Sequence, residues 1–283
     1  MSEAVPLYDL IEAHLNAPPI QDDPYGVNSA EDYSQVRRTA VNGFLEGRYP
    51  GSFVVPISGI HERPETVARG YRQLAEQYAS AKIPFSALFS LNYLQGYEEH
   101  PHVEQNRQVL RQMGRETSLP ASWFETTRSR GAMQGSIKGN CIRMLLYHLH
   151  KQYRRSKKIP DPFVLFNEDI DLIRQSPQLI DRFYQPIHQQ GLSLVQANLL
   201  HARATGRYGE YPNSNRTFPN MDSVLWWYDL RCKYNVYPYS MHDTHNAVSL
   251  RTFLEIGDLN PNEHNEGVQS EILNSTDLKF EKR

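Results

Sequence analysis

From residue 51 onward, short apolar runs alternate with longer segments of helical periodicity, and this alternation restricts the fold more than any other feature. The runs SFVVPIS (52–58), FSALFSLNY (85–93) and PFVLF (162–166) have the length and composition of β-strands. Between the first two runs, ETVARGYRQLAEQYA (65–79) places apolar residues at i, i+4, i+7, i+8 and i+11, which is one face of a helix. Strands that alternate with helices predict an α/β fold with a mostly parallel central sheet and helices on both faces.

The other segments are assigned from the same patterns. We predict helices over 7–15, 103–113, 137–153, 179–190 and 221–234, and a further strand over 192–200. Residues 126–136 are predicted to form a Gly/Arg-rich loop, residues 202–220 a long polar loop of the kind that often covers a binding site, and residues 257–283 a polar tail. The basic run KQYRRSKK (151–158) follows a predicted helix, where cations favour the negative end of the macrodipole.

Composition excludes several classes of function. The 283 residues carry a formal net charge of −2. The chain therefore lacks the strongly basic field that would indicate nucleic acid as its partner. Cys141 and Cys232 are the two cysteines and do not form a C-x-x-C pair, which disfavours a disulfide framework or a structural zinc site. The sequence has neither a signal-peptide pattern nor an apolar run of about 18 residues, so we predict no membrane span and a cytoplasmic location.

The stretch PFVLFNEDIDLI (162–173) ends an apolar strand with three carboxylates, Glu168, Asp169 and Asp171. Two carboxylates about 5 Å apart repel by roughly 3 kcal/mol at an effective dielectric near 20, so a cation is expected beside them. Alternation places Asp169 and Asp171 on one side of an extended chain, where their oxygens can hold a divalent cation. The alternative is a helix cap at Asp171 with surplus acid around it.

Four segments in order resemble the GT-A glycosyltransferases, particularly the family-2-like group that uses nucleotide-diphosphate sugars. They are SFVVPISGIHERPETVARGYRQLAEQ, TRSRGAMQGSIKGNCIRMLL, FVLFNEDIDL and DSVLWWYDLRCKYNVYPYSMHDTH, and together they span roughly residues 51–245. Ser58 and Gly59 replace the pair that is usual after the first strand of that family. The resemblance implies a GT-A-like (Rossmann-like) catalytic domain over 51–256, with a nucleotide-sugar-binding half (51–173) and an acceptor half (174–256). Residues 1–50 would be an N-terminal extension that packs on this core.

The resemblance also implies a reaction and a metal, either Mn²⁺ or Mg²⁺. An acceptor hydroxyl or another nucleophile would attack the anomeric carbon of the donor, and the metal would stabilise the charge on the departing nucleotide diphosphate. The implied metal ligands are Asp169 and Asp171, with a further ligand from His242 or His245. Glu168 would serve the second coordination shell or the donor sugar.

Asp229 matches the family position that often supplies the general base, although an i, i+4 pair with Lys233 explains it equally well. Asp222 has an acceptor contact as one interpretation and a favourable charge in the first helical turn as the other. Nucleotide-sugar contacts are implied for two further groups. One group lies at the ends of the first two strands (Pro56, Ile57, Ser58 and Asn92), and the other is basic (Arg128, Arg130 and Lys138).

Two other classes of function remain open from the sequence. A metal-dependent hydrolase or nuclease could use the acids at 168–171 with His242, Asp243, His245 and His264, and would need no nucleotide-sugar donor. A non-catalytic GT-A-like binding protein is the second alternative, supported by the departure at Ser58 and Gly59. The transferred sugar, the acceptor and the oligomeric state are not specified by the sequence.

Overall fold

The computed structural model describes residues 4–16, 38–41, 49–94, 96–128, 137–170, 179–192, 194–196 and 246–255. These residues form seven strands and six helices. The strands are β1 (Arg38–Val41), β2 (Gly51–Ser58), β3 (Ser86–Leu94), β4 (Ala121–Arg128), β5 (Val164–Asn167), β6 (Leu194–Gln196) and β7 (Asn246–Ser249). The helices are α1 (Leu7–Leu15), α2 (Pro64–Ser80), α3 (Pro101–Glu116), α4 (Ile137–Tyr153), α5 (Leu179–Gln190) and α6 (Leu250–Glu255).

The strands form one mixed sheet in the order β1-β4-β3-β2-β5-β7-β6. The four strands β4, β3, β2 and β5 are parallel to one another. Strand β1 pairs antiparallel with β4, and β7 pairs antiparallel with both β5 and β6. The predicted α/β class is therefore confirmed, and the parallel strands occupy the centre of the sheet.

A hydrophobic core lies on each face of the sheet. One core joins α2, α3 and α5 to alternate strand residues such as Phe53, Phe89 and Trp123. The other joins α1, α4 and α6 to the intervening residues, among them Val54 and Phe124. Because successive side chains of a strand point to opposite faces, the continuous apolar runs read from the sequence supply both cores at once.

The helices follow the predicted periodicity closely. Helix α2 begins with Pro64 in its first turn, where a missing N–H costs no helical hydrogen bond, and it buries Val67, Tyr71 and Leu74 against the sheet. Helix α1 packs its buried face in the same core as α4 and α6. Within the described ranges, no helix is both long enough and apolar enough to cross a membrane.

Four elements were not predicted: β1, β4, β7 and α6. Strand β4 reads ASWFETTR, and its polar residues hide the alternation that sends Trp123 into one core and Phe124 into the other. Because β4 continues to Arg128, the loop predicted from residue 126 begins too early. Part of the strand predicted over 192–200 is described as β6, and its residues 193 and 197–200 lie outside the described residues. The helix predicted over 221–234, the loop over 202–220 and the tail from 257 also lie outside them.

Candidate functional site

The strand order places a topological switch point between β2 and β5, and we call the sheet edge at the carboxyl ends of these two strands the crevice. The chain runs from β2 outward to β3 and β4, and then returns to place β5 on the other side of β2. The connection after β2 leads to β3, and the connection after β5 leads to β6, so the chain leaves these two neighbouring strands toward opposite edges of the sheet. In open α/β sheets, ligands bind at the carboxyl ends of the strands at such a switch point.

Two of the three predicted acids lie at this edge of the sheet. Strand β5 ends at Asn167, and Glu168 and Asp169 follow directly, so their predicted place after a buried strand is confirmed. Glu168 is only 1% exposed, and the backbone N–H of this residue donates to the Val54 carbonyl at 3.5 Å. Asp169 is half-buried. Their role in holding a metal stays a prediction.

Strand β2 extends beyond the end of β5 and leaves one backbone edge facing the crevice. Pairing with β5 ends at Val54, whereas pairing with β3 continues to Ser58. Backbone groups alternate between the two neighbours of a parallel strand, so the Pro56 carbonyl and the Ser58 N–H point to the β5 side. Proline lacks an N–H, and Pro56 therefore occupies the position where no partner strand would receive one.

Asn92 links the carboxyl ends of three strands. Its amide nitrogen donates to the carbonyls of Ser90 at 2.7 Å and Ile57 at 3.4 Å, and its amide oxygen accepts from the Ser90 and Thr126 hydroxyls. The residue is 1% exposed. A direct nucleotide contact by Asn92 stays a prediction, and it would require some of these hydrogen bonds to rearrange.

Helix α4 directs its N-terminus toward the same edge of the sheet. It connects the carboxyl end of β4 to the amino end of β5, and the Cys141 thiol near its start contacts the Leu88 carbonyl of β3 at 3.4 Å. The first turn of α4 contains Lys138, and Arg128 ends the neighbouring strand β4. A helix N-terminus carries partial positive charge and free N–H groups, which suit a phosphate.

The remaining predicted site residues lie outside the described residues. They are Asp171, Asp222, Asp229, Arg130, His242 and His245. Within the described ranges, no group of three or more His, Cys, Asp or Glu side chains is placed to hold a metal ion. Glu168 and Asp169 would thus need ligands from elsewhere, and Asp171 and the two histidines keep that predicted role.

A buried ionic network at the ends of β3 and β4 was not predicted. Arg107 of α3 donates from Nε to Oε1 of Glu125 at 3.0 Å and from Nη2 to Oε2 at 2.9 Å. Nη2 also donates to the Tyr93 hydroxyl at 3.1 Å, and Nη1 donates to the Glu98 carbonyl at 2.9 Å and to Glu104 at 3.0 Å. All five N–H donors of the guanidinium are used. The sequence signal for this network is Glu125 itself, which lies two residues after Trp123 and therefore points to the same face of β4 as Trp123.

Because of this network, the stability of the fold depends on pH in the alkaline range. The pKa of Tyr93 is raised to about 12, first by burial and then by the hydrogen bond to Glu125 and the charge of that carboxylate, while Arg107 acts in the opposite direction. Because an unfolded tyrosine titrates near pH 10, the folded state keeps this proton more tightly, and that contribution to stability is present below pH 10. It is lost as the pH rises from about 10 to 12.

We therefore expect the free energy of unfolding to fall between pH 10 and 12, and to fall less steeply in Tyr93→Phe. Urea unfolding measured at intervals across this range checks the difference in slope. Equal slopes in the two proteins would contradict the assignment.

Neither protein-family models nor curated protein sequences match this chain.

Proposed function

We propose that this protein is a metal-dependent glycosyltransferase that moves a sugar from a nucleotide-diphosphate donor to an acceptor hydroxyl or another nucleophile. The observation that carries the proposal is the placement of Glu168 and Asp169 directly after β5, beside the open edge of β2 at the switch point. The ordered resemblance to the GT-A family supports the same assignment. The parallel centre of the sheet and the helices on both faces are consistent with a GT-A-like fold.

Each part of the crevice suits one part of a nucleotide sugar. The Pro56 carbonyl and the Ser58 N–H offer an acceptor and a donor side by side, which complements the edge of a nucleobase. The N-terminal turn of α4 and the cations at 128, 130 and 138 suit the diphosphate. The half-buried Asp169 lies at the end of β5, across the crevice from this open edge.

The donor set fits a hard divalent cation. Carboxylate oxygens are the ligands that Mg²⁺ and Mn²⁺ prefer, and Asp169 with Asp171 would hold the ion, aided by His242 or His245. When bound, the metal would neutralise charge on the nucleotide diphosphate as it leaves. Glu168 would orient the site from its buried position, and Asp229 would accept the proton of the acceptor.

A thermal-stabilisation screen tests this function. UDP-, GDP-, ADP- and dTDP-sugars are each added with Mn²⁺ or Mg²⁺, and one donor is expected to raise the melting temperature only when metal is present. A ligand at 100 times its Kd stabilises the folded state by about 2.7 kcal/mol, which such a screen resolves easily. Asp169→Asn should abolish the metal-dependent part.

Glu76→Gln is the matched control, because it also removes one negative charge but lies exposed on α2. It should keep the full shift. The proposal is wrong if no nucleotide sugar stabilises the wild-type protein with either metal. An equal loss in both variants would show that general electrostatics, and not Asp169, controls binding.

A further inference from the structure

The loop that follows β2 is held by side chains from a different helix. Residues 59–63 connect β2 to α2, and they follow directly on the open edge of β2 at the crevice. Asn106 of α3 donates from Nδ2 to the Glu62 carbonyl at 3.0 Å and to the Gly59 carbonyl at 3.4 Å. His102, one helical turn earlier, contacts the Ile60 carbonyl through Nδ1 at 2.9 Å. Three of the five carbonyls in this loop thus bind α3.

The loop also binds strands β2 and β3 through its backbone. The Glu62 N–H donates to the Ser58 carbonyl at 2.8 Å, and the Gly59 N–H donates to the Asn92 carbonyl of β3 at 2.7 Å. A Cβ atom at residue 59 would lie 3.1 Å from that Asn92 carbonyl, so the chain packs tightly here. The position of the loop therefore fixes the direction in which the last residues of β2 point.

Helix α3 can act as a support because it is itself anchored. Arg107, next to Asn106, forms the buried pair with Glu125 of β4 and binds the Glu98 carbonyl in the segment after β3. Asn106 is fully buried, and Arg107 is 8% exposed. A guanidinium that forms two parallel hydrogen bonds to one buried carboxylate is held in a fixed orientation, and these bonds also contribute to stability. Neither Asn106 nor His102 belongs to the predicted site.

We propose that Asn106 and His102 are positioning residues for nucleotide binding. They hold residues 59–62 so that the Pro56 carbonyl and the Ser58 N–H stay fixed at the crevice before a ligand arrives. This inference rests on the proposed function for its link to binding. Preorganisation of this kind increases affinity because the ligand does not have to order the loop.

Hydrogen exchange and nucleotide affinity, measured on the same variants, test the proposal. In Asn106→Leu, which keeps a similar volume without the amide, we expect faster exchange of the Gly59 and Glu62 amides. The Kd for the nucleotide sugar that gives the largest shift in the screen should rise about tenfold at a temperature well below unfolding. Gln108→Leu is the control, because it introduces the same side chain at an exposed position of α3 and should change neither quantity.

His102 supplies a milder pair of variants if Asn106→Leu does not fold. His102→Ala removes one contact from a half-buried position and should show the same two effects at smaller size, whereas His102→Asn should restore both, since its amide can replace the ring N–H. Unchanged exchange, or faster exchange with unchanged Kd, in a folded variant overturns the inference. If the wild-type protein binds no nucleotide sugar, the proposed function is wrong, and so is the role of Asn106 and His102 in nucleotide binding. The exchange rates of the Gly59 and Glu62 amides still decide whether these two side chains hold the loop.

Discussion

Replacing Gly70 by alanine is expected to displace the chain that carries Glu168 and Asp169 and to destabilise the fold. A Cβ atom at residue 70 would lie 2.2 Å from the Ile170 carbonyl oxygen and 2.8 Å from Cδ1 of Ile170. The first of these atoms is backbone, so the overlap is relieved only if the segment after β5 or helix α2 moves. The substitution therefore couples helix packing directly to the position of the two acids.

The size of the effect follows from two opposing contributions. Alanine favours a helix over glycine by about 1 kcal/mol, whereas overpacking a close contact costs about 1–3 kcal/mol and occasionally more. We expect a net loss of about 2 kcal/mol from the free energy of unfolding for Gly70→Ala, and a larger loss for Gly70→Val. Urea unfolding measures the stability, and the metal-dependent thermal shift reports the position of the acids.

Arg72→Ala is the appropriate control for Gly70→Ala. It introduces the same residue into α2, two positions further along and on the exposed side of the helix. It should leave the metal-dependent shift unchanged and alter stability by no more than about 0.5 kcal/mol. A Gly70→Ala protein with wild-type stability and a wild-type shift would show that this contact does not constrain the site.

The sequence predicts the centre of this fold because local pattern and tertiary burial agree there. Strands β2, β3 and β5 are apolar runs, and α2 and α4 are long segments with a clear helical period. Such segments are buried on faces that the pattern itself defines. Strand β4 is different, because Ser122, Glu125 and Thr126 are buried polar residues whose burial depends on partners distant in sequence.

The candidate site shows the same division. The position of Glu168 and Asp169 after a strand is a local property, and it was predictable. The support from Asn106, His102 and Arg107 was not, because it joins α3 to the segments after β2 and β3 and to β4 through side-chain contacts. Hydrogen bonds between residues 42 or 44 positions apart leave no periodic signal in the sequence.

Replacing Glu125 by alanine is expected to cost about 3–5 kcal/mol, because it leaves the Arg107 guanidinium buried without its main counter-ion. The Arg107 and Glu125 side chains are 10% and 5% exposed, so water cannot replace the lost carboxylate without opening the edge of the sheet. Tyr93 would also lose the acceptor that its hydroxyl contacts at 2.6 Å. Urea unfolding should show a lower midpoint with little change in its slope.

Glu104→Ala separates burial from charge, since Glu104 binds the same guanidinium at 3.0 Å but its side chain is 47% exposed. An exposed pair contributes about 0–1 kcal/mol, so this variant should be several times less damaging than Glu125→Ala. Equal losses of stability in Glu104→Ala and Glu125→Ala would contradict the argument from burial.

The double variant Arg107→Met/Glu125→Leu removes both buried charges together, and because no buried ion is left unpaired, it should recover most of the stability that Glu125→Ala loses. If this double variant regains stability but binds nucleotide sugar more weakly than the wild type, the hydrogen bond from Arg107 to the Glu98 carbonyl also supports binding, because an apolar pair can fill the core but cannot bind that carbonyl.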